Sequence, residues 1–271
     1  MRRWLVNWFS RKKAVIGDAD FFERIAAIRK LQQSGHAFDF EDMLEQHYRR
    51  FLQRGNVVID VGAHVGRHLS RFVECVGTSG RVIAFEPLPF AFEELRSRFK
   101  QSNVELENCA LTDHTGSVSF VHAQGTPEES GLRQRVYNQP DVAKPIEITV
   151  RADILDNFND RIPRLDYIKI DVEGGEMNVL YGSKKIIATH RPYISVEYGR
   201  PGYSVYGHSL FTVFDFSEAI DYVMYDIFGH RLDRLRWPMS CDSICWDFFM
   251  VPQEKASDFE GVIEAIRVDG I

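Results

Sequence analysis

The sequence predicts an α/β fold in which helices cover both faces of a mainly parallel sheet, a doubly wound arrangement. From residue 56 onward, short apolar segments typical of strands alternate with segments of helical periodicity. The first apolar run, Val57–Val61, is apolar on both faces, as in a buried parallel strand, and a glycine turn follows it. The last run, Cys245–Val251, follows a long excursion through Arg231–Asp242, so we expect this strand to insert antiparallel.

The alternation predicts seven strands and at least seven helices. Strands are expected near residues 57–61, 81–86, 103–108, 166–171, 193–198, 221–227 and 246–251, and helices near 67–76, 89–100, 176–188, 209–219 and 257–266. Two more helices, Asp18–Gln33 and Asp39–Leu52, precede the first strand, and we expect them to form a cap over the ligand edge of the sheet. We therefore divide the chain into an N-terminal helical segment, 1–52, and a main domain, 53–271.

Composition excludes several classes of protein. The chain has 271 residues, of which 44% are hydrophobic, so it can bury a core without disulfides or metals. A formal net charge of −6 disfavours a general nucleic-acid partner. The four cysteines lack the paired spacing of a zinc site, and no apolar run approaches the length of a bilayer span. We expect a cytoplasmic protein.

Residues 1–13 differ from the rest of the chain because they are basic and aromatic and contain no acid. On a helix, Trp4, Leu5, Trp8 and Phe9 would share one face. We favour packing of this face on the body of the protein or on a partner subunit. Peripheral contact with a membrane is the alternative, since such a face suits the bilayer interface.

The turn after the first strand indicates which cofactor binds there. Gly62 and Gly66 have no Cβ, so the backbone can turn sharply and approach a ligand. A dinucleotide site prefers the spacing Gly-x-Gly-x-x-Gly and places a pyrophosphate on the helix N-terminus. Here the spacing is Gly-x-x-x-Gly, and Asp60 directly before the turn would repel a pyrophosphate. S-adenosylmethionine (SAM) has no phosphate and carries an ammonium and a sulfonium, so we favour it over NAD.

The next strand ends in a second acid. Glu86 follows Arg81–Phe85, a position where a carboxylate can accept hydrogen bonds from both hydroxyls of a ribose. This position agrees with a nucleoside cofactor.

Three further acids follow two later strands. Asp171 and Glu173 come directly after an apolar strand, and Glu197 ends the strand that follows it in the chain. Because parallel strand ends meet in one crevice, we expect these carboxylates to converge beside the cofactor. They can accept the proton of an attacking hydroxyl, hold a divalent cation such as Mg²⁺, or hydrogen-bond the substrate and the SAM ammonium. The structural alternative is a network to backbone amides.

A long polar segment, His122–Pro145, interrupts the alternation. It lies between two runs with the period-two pattern of half-exposed strands, Ser117–Val121 and Ile146–Val150. Polar loops of this length in compact domains are usually lids or binding loops, so we expect this one to lie near the substrate.

Taken together, these segments resemble the FkbM-type SAM-dependent methyltransferases over roughly residues 56–198. The segments that carry the resemblance are Ile59–Gly66, Phe85–Pro87, Asn108–Leu111, Ile170–Glu176 and Val179–Gly182. The glycine turn alone is not specific, whereas the Asp-Val-Glu-Gly-x-Glu segment that begins at Asp171 is. The resemblance implies a class I methyltransferase fold, which is Rossmann-like with seven strands, and methylation of a hydroxyl on a sugar or a secondary metabolite.

The resemblance also implies which residues bind SAM. We assign cofactor contacts to Asp60, Gly62, Ala63, His64, Gly66, Glu86, Asn108, Ala110 and Asp171, with Glu86 at the ribose and Asn108 to Ala110 beside the adenine. One departure is His64, where the family more often has Asn. A histidine can still donate to the cofactor carboxylate, or make binding sensitive to pH. Catalytic roles are assigned to Asp171, Glu173 and Glu197, and a divalent cation stays open.

The expected acceptor is a small molecule or a glycan with a free hydroxyl. The sequence leaves two other functions as alternatives. An NAD-linked oxidoreductase or sugar epimerase could use Tyr181 and Lys185, which have the Tyr-x-x-x-Lys spacing, but the phosphate-binding glycine spacing is absent. A non-catalytic binding protein on a methyltransferase fold is the second alternative.

Overall fold

The computed structural model of the protein describes residues 18–262, which form a large sheet, a small sheet and the helices that pack on them. The strands are β1 (Val57–Val61), β2 (Arg81–Phe85), β3 (Val104–Glu107), β4 (Ala110–Leu111), β5 (Gly116–Ala123), β6 (Pro145–Asp153), β7 (Tyr167–Ile170), β8 (Tyr193–Glu197), β9 (Tyr222–Asp226), β10 (Arg231–Leu232) and β11 (Asp247–Pro252). The helices are α1 (Asp18–Gln33), α2 (Phe40–Phe51), α3 (Arg67–Val76), α4 (Pro89–Arg98), α5 (Pro140–Ala143), α6 (Glu176–Tyr181), α7 (Lys184–His190), α8 (Arg200–Tyr203), α9 (Thr212–Ala219), α10 (Trp237–Ser240) and α11 (Ala256–Val262).

The large sheet confirms the predicted fold class. In the described part of the chain it has eight strands, in the order β3-β2-β1-β7-β8-β11-β9-β10. Strands β3, β2, β1, β7 and β8 are parallel, and β11 is antiparallel to both of its neighbours, as expected. The order reverses between β1 and β7, and such a reversal opens a crevice at the carboxyl ends of the strands.

The eighth strand comes from the excursion that precedes β11. Arg231 and Leu232 pair antiparallel with Tyr225 and Met224 of β9, which adds a two-residue strand at the edge of the sheet. The prediction of seven strands therefore holds for the sheet apart from this edge strand. A two-residue pairing produces no periodicity in the sequence, so it could not be predicted.

The small sheet has the order β4-β6-β5 and lies beside the carboxyl ends of the large one. Strands β5 and β6 pair antiparallel over their whole length, from Gly116 opposite Ala152 to Ala123 opposite Pro145. This pairing confirms the two half-exposed strands that the period-two pattern predicted.

The helix predicted over residues 176–188 is divided into α6 and α7. Gly182 separates the two helices and lies against the backbone of Thr112, so close that a Cβ there would be 2.0 Å from the Thr112 carbonyl oxygen. The first helix therefore ends at this contact, and residues 184–190 form a separate helix.

The two N-terminal helices share one hydrophobic core with the sheet. On α2, Tyr48 and Phe51 contact Tyr167 of β7, with ring centroids 6.2 and 5.3 Å apart. On α1, the side chain of Gln32 donates to the Ile244 carbonyl oxygen at 2.9 Å. Helix α2 thus covers a sheet face, and its first turn lies at the carboxyl ends of the strands. The division at residue 52 stays a prediction.

The predicted amphipathic segment, residues 1–13, lies outside the described residues. None of the described helices combines the length and the apolar composition that crossing a bilayer requires.

Candidate functional site

The turn after β1 is held in place by two glycines with positive φ. The φ angles of Gly62 and Gly66 are 82° and 85°. A Cβ on Gly62 would be 1.8 Å from the carbonyl oxygen of Asp171, and one on Gly66 would be 2.8 Å from side-chain atoms of Leu95 and Phe99. We expected these glycines to bring the backbone near a ligand. The close approach that the structure shows is to protein atoms of the neighbouring strand end and of helix α4.

Glu86 is the buried acid at the end of β2. One of its carboxylate oxygens accepts the backbone N–H of His64 at 2.7 Å, and the other accepts that of Leu88 at 2.8 Å. Burial raises the pKa of Glu86 to about 7. Asn108 donates from its amide nitrogen to the Glu86 carbonyl oxygen at 2.8 Å, so it supports the backbone of this acid.

A cavity, part of it open to solvent, lies at the carboxyl ends of β1, β2 and β7. Of the predicted site residues, Gly62, His64, Glu86, Ala110, Asp171 and Glu173 line it. The other predicted site residues are not part of the lining, namely Asp60, Ala63, Gly66, Asn108 and Glu197. The segment predicted to lie near the substrate contributes Pro127, Glu128, Ser130 and Leu132 to the wall.

The lining suits a nucleoside cofactor without phosphate. Leu88, Ala110 and Phe120 are apolar residues of the lining, which suits a flat base. Glu86 also lines the cavity, and its carboxylate can accept hydrogen bonds from a diol. Toward β1, Nε2 of His64 is buried and meets no hydrogen-bond partner among residues 18–262. Burial lowers the pKa of His64, so the neutral ring can donate to a carboxylate.

Asp60 lies beneath the turn on one face of the sheet. It is 1% exposed, and neither of its oxygens has a hydrogen-bond partner in the part of the chain that the structure describes. It sits opposite Lys169 in the β1–β7 register, which places the two side chains on one face. Burial raises the pKa of Asp60, and the Lys169 ammonium opposes that rise.

The three acids that follow β7 and β8 do converge. Asp171, Glu173 and Glu197 each offer one oxygen, and these oxygens all lie within 4.8 Å of one another. Burial opposes ionisation of Asp171, but the Lys169 ammonium, 2.8 Å away, holds the pKa of this carboxyl below its ordinary value. Burial and the charge of Asp171 raise the pKa of Glu197 well above its ordinary value. The raised pKa favours the protonated form of Glu197, whose side chain is hydrogen-bonded with that of Asp171.

Two protein cations already face this acid group. Lys169 pairs with Asp171, and Arg135 of the 122–145 segment pairs with Glu173. The oxygens have the spacing that a divalent cation needs, but such an ion would compete with both pairs.

Sequence reasoning missed Lys169 and Arg135, and it recognised Glu176 only as an acid near a helix N-terminus. Lys169 is the charged residue of an otherwise apolar, buried strand, a signal that was available because a lysine in such a place requires a partner. Glu176 accepts the N–H groups of Val172 and Gly174 and so fixes the turn after Asp171. Arg135 carries no comparable signal, since its partner is distant in sequence.

The chain matches a known family over most of its length. Residues 60–232 match the family described as the methyltransferase FkbM domain. Among curated proteins, the chain is 23% identical to "Methyltransferase sdnD" of Sordaria araneosa, over 46% of this chain and 59% of that protein. It is 28% identical to "Hexuronic acid methyltransferase AglP" of Haloferax volcanii, over 48% of this chain and 51% of that protein. The chain thus spans between half and three fifths of these relatives.

A search of solved structures gives a neighbour from the same family. The crystal structure of "Methyltransferase FkbM" from Methylobacillus flagellatus KT has a TM-score of 0.44 and is 17% identical, covering 86% of this chain and 60% of that one. The family match covers well over half of the sequence and includes both the glycine turn and the acid group after β7. This chain therefore belongs to the FkbM family of SAM-dependent methyltransferases.

Proposed function

We propose that the protein transfers the methyl group of SAM to a hydroxyl oxygen of a small molecule or a glycan. The observation that carries this proposal is the position of the Asp171 carboxylate. It lines the same cavity as Glu86 and is held ionised by Lys169. The name of the Haloferax volcanii relative, a hexuronic acid methyltransferase, supports a sugar as the acceptor.

We assign the cofactor to the cavity by the chemistry of its lining. Glu86 would accept the ribose hydroxyls, and the apolar residues of the lining, among them Ala110, would hold the adenine. His64 would donate to the carboxylate of the amino acid portion. Asp60 lies under the turn, where its charge favours the ammonium of that portion.

Methyl transfer requires the protein mainly to align the acceptor oxygen, the methyl carbon and the sulfur. When bound, SAM supplies an activated methyl group on a sulfonium. The acceptor oxygen forms a bond to the methyl carbon as the carbon–sulfur bond breaks, and the sulfur leaves as a neutral thioether. Holding the three reacting atoms in line can contribute about 7–11 kcal/mol to lowering the barrier.

Asp171 takes the proton that the hydroxyl loses. The oxygen becomes strongly acidic as it is methylated, so a carboxylate with a low pKa is a sufficient base. Glu197, whose raised pKa favours the protonated form, would donate to Asp171 and fix its orientation. Asp171 would thus act as the base. Glu173 and Glu197 would lie beside it and shape its surroundings.

A methyl-transfer assay tests the proposal. The full chain would be incubated with SAM labelled in the methyl group and a panel of sugars and small alcohols, and we expect labelled ether product. Calorimetry with SAM and with NADH provides the comparison, and we expect binding of SAM alone. Binding of NADH would favour an oxidoreductase, and SAM binding without any methylated product would favour a non-catalytic binding protein.

We also propose a cytoplasmic protein in which residues 1–13 pack on the body of the protein or on a partner subunit. Peripheral contact with a membrane is the alternative, which the basic and aromatic composition of this segment supports. Sedimentation with anionic liposomes distinguishes the two. Equal sedimentation of the full chain and of a variant without these residues would support packing, and sedimentation of the full chain alone would support membrane contact.

A further inference from the structure

The first residues of β11 lie beside the end of β8. Asp247 is opposite Glu197 in the antiparallel register, and the Trp246 carbonyl oxygen accepts the backbone N–H of Tyr198 at 2.7 Å. Because β11 runs antiparallel to β8, its beginning meets the carboxyl end of β8. Trp246 and Asp247 are therefore fixed next to one member of the acid group.

The first turn of α2 also lies near the acid group. Glu41 hydrogen-bonds Nε2 of His68 and lies within the electrostatic reach of Lys169 and Asp171. Its neighbour Phe40 contacts Trp246 edge to face, with ring centroids 4.8 Å apart and an interplanar angle of 88°. The start of α2 and the start of β11 thus meet beside the acids.

Trp246 is unusually open for so large an aromatic side chain. It is 49% exposed, although Phe40 packs against its ring and its Cβ lies against Gly199. An aromatic ring that is held by its neighbours and still presents a face to solvent can stack on a ligand at little entropic cost. The negative face of such a ring attracts the weakly positive C–H groups of another ring.

The charges beside Trp246 indicate the kind of ligand. Glu41 and Asp171 lie within the electrostatic reach of the Lys169 ammonium, and burial raises the pKa of Asp247, which is opposite Glu197, to about 8. Carboxylates accept hydrogen bonds from hydroxyl groups but repel an anion. A neutral ring with an apolar face and several hydroxyl groups fits both the exposed ring of Trp246 and the neighbouring carboxylates.

We propose that Phe40, Glu41, Trp246 and Asp247 form an acceptor wall that selects a neutral, hydroxyl-bearing ring by stacking on Trp246. All four residues lie outside residues 60–232, the part of the chain that matches the family. The acceptor wall rests on the proposed function, since it supplies the acceptor to the same site. Specificity would then come from segments that flank the family domain.

Saturation-transfer NMR tests the acceptor wall. The full chain would be loaded with S-adenosylhomocysteine and mixed with methyl glycosides of glucose, galactose and mannose and with glucuronate. We expect saturation of ring C–H protons in at least one neutral glycoside and weaker transfer to glucuronate. Trp246→Ala should lower the affinity for that glycoside about tenfold, and Trp246→Phe should lower it less.

Phe22→Ala is the matched control, because Phe22 is also a partly exposed aromatic residue, on α1. It should leave the glycoside signals unchanged, and every variant should bind S-adenosylhomocysteine like the unaltered protein in calorimetry. The acceptor wall is overturned if Trp246→Ala keeps the signals, if it weakens cofactor binding equally, or if no neutral glycoside responds. Failure of the unaltered protein to bind S-adenosylhomocysteine would instead overturn the proposed function.

Discussion

In the proposed site Glu86 has two tasks, and each uses a different part of its carboxylate. Both oxygens accept a backbone N–H, which fixes the turn at His64 and the start of α4. Each oxygen retains a second lone pair, which can face the cavity. These two hydrogen bonds orient the carboxylate before a ligand binds. The fixed orientation lowers the entropic cost of binding a sugar.

Replacing Glu86 with alanine should weaken SAM binding by about 10- to 100-fold, because hydrogen bonds to a charged group contribute about 1.5–3 kcal/mol. Calorimetry measures the change. Glu86→Gln is the matched control, since it keeps the size and an acceptor oxygen and should lose less. Unchanged affinity in Glu86→Ala would remove this residue from the ribose site.

SAM affinity should also depend on pH through Glu86. Burial raises the pKa of this acid to about 7. When the Glu86 carboxyl group is protonated, one of its oxygens is less able to accept a hydrogen bond from the ribose, and this proton is lost only near neutral pH. Affinity should rise as the pH increases from about 6 to about 8, by at most about tenfold per pH unit below the pKa. Calorimetry on Glu86→Gln should show a flat profile over this range, and an equal slope in both proteins would contradict the assignment.

Asp171→Asn should leave SAM binding nearly intact and reduce turnover at least about tenfold. The amide cannot take a proton, and it removes the charge that Lys169 faces at 2.8 Å. Calorimetry and the methyl-transfer assay measure the two effects separately. Full turnover in this variant would exclude Asp171 from the chemistry.

For single residues, the sequence predicted which acids lie close together but not which cations pair with them. Asp171, Glu173 and Glu197 follow strands, and strand ends converge by topology. Lys169 could have been recognised as a lysine in a buried strand. The pairing of Arg135 with Glu173 depends on how a loop folds over the site, and periodicity carries no information about it.

The segment between β5 and β6 is the element that encloses the site. Its backbone is held by Gly131, which pairs with Val121, and by the Arg133 N–H, which donates to the Tyr206 hydroxyl at 3.1 Å. Arg135 then reaches Glu173 through an ion pair that is about nine tenths buried on the arginine side. This element closes over the acids through a few specific contacts and one small apolar cluster.

Arg135→Ala should loosen this segment and slow methyl transfer. The variant leaves Glu173 partly buried without its counter-charge, a change that typically costs several kcal/mol locally. Limited proteolysis should cut between residues 124 and 144 faster than in the unaltered protein. Arg151→Ala, which removes an exposed arginine of the small sheet, is the control and should be cut at the original rate.

Element boundaries were predictable where hydrophobic periodicity sets them and unpredictable where a contact sets them. Strands β1, β2, β7 and β8 begin and end close to their predicted positions. The break between α6 and α7 was missed because it results from the contact of Gly182 with Thr112, which lies in a distant part of the chain.

For the molecule as a whole, buried acids with raised pKa values contribute to the response of stability to pH. Burial raises the pKa of both Glu86 and Glu176 to about 7. Between pH values of about 4.5 and 7 each of these two carboxyl groups therefore binds more protons in the folded protein than in the unfolded chain. Their contribution to stability is fully present on the acidic side of this window and is lost as the pH rises through it.

Glu176→Gln tests this dependence. The amide can still accept the N–H groups of Val172 and Gly174, but it has no charge to bury. At a pH of about 8 the free energy of unfolding should increase, with an upper limit of about 3 kcal/mol from the shift in pKa. Urea titrations at pH values of about 5 and 8 measure the change. Identical pH profiles for the two proteins would show that Glu176 is not the group that titrates.

The contact between Gly62 and the Asp171 carbonyl group has a consequence for how such an enzyme can diversify. The turn that we propose to hold the methyl donor lies against the backbone of the residue that we propose to receive the proton, with no side chain between them. In the proposed site, main-chain atoms would thereby set the spacing between the two halves of the reaction. Flanking segments could then change to admit new acceptors while that spacing is kept.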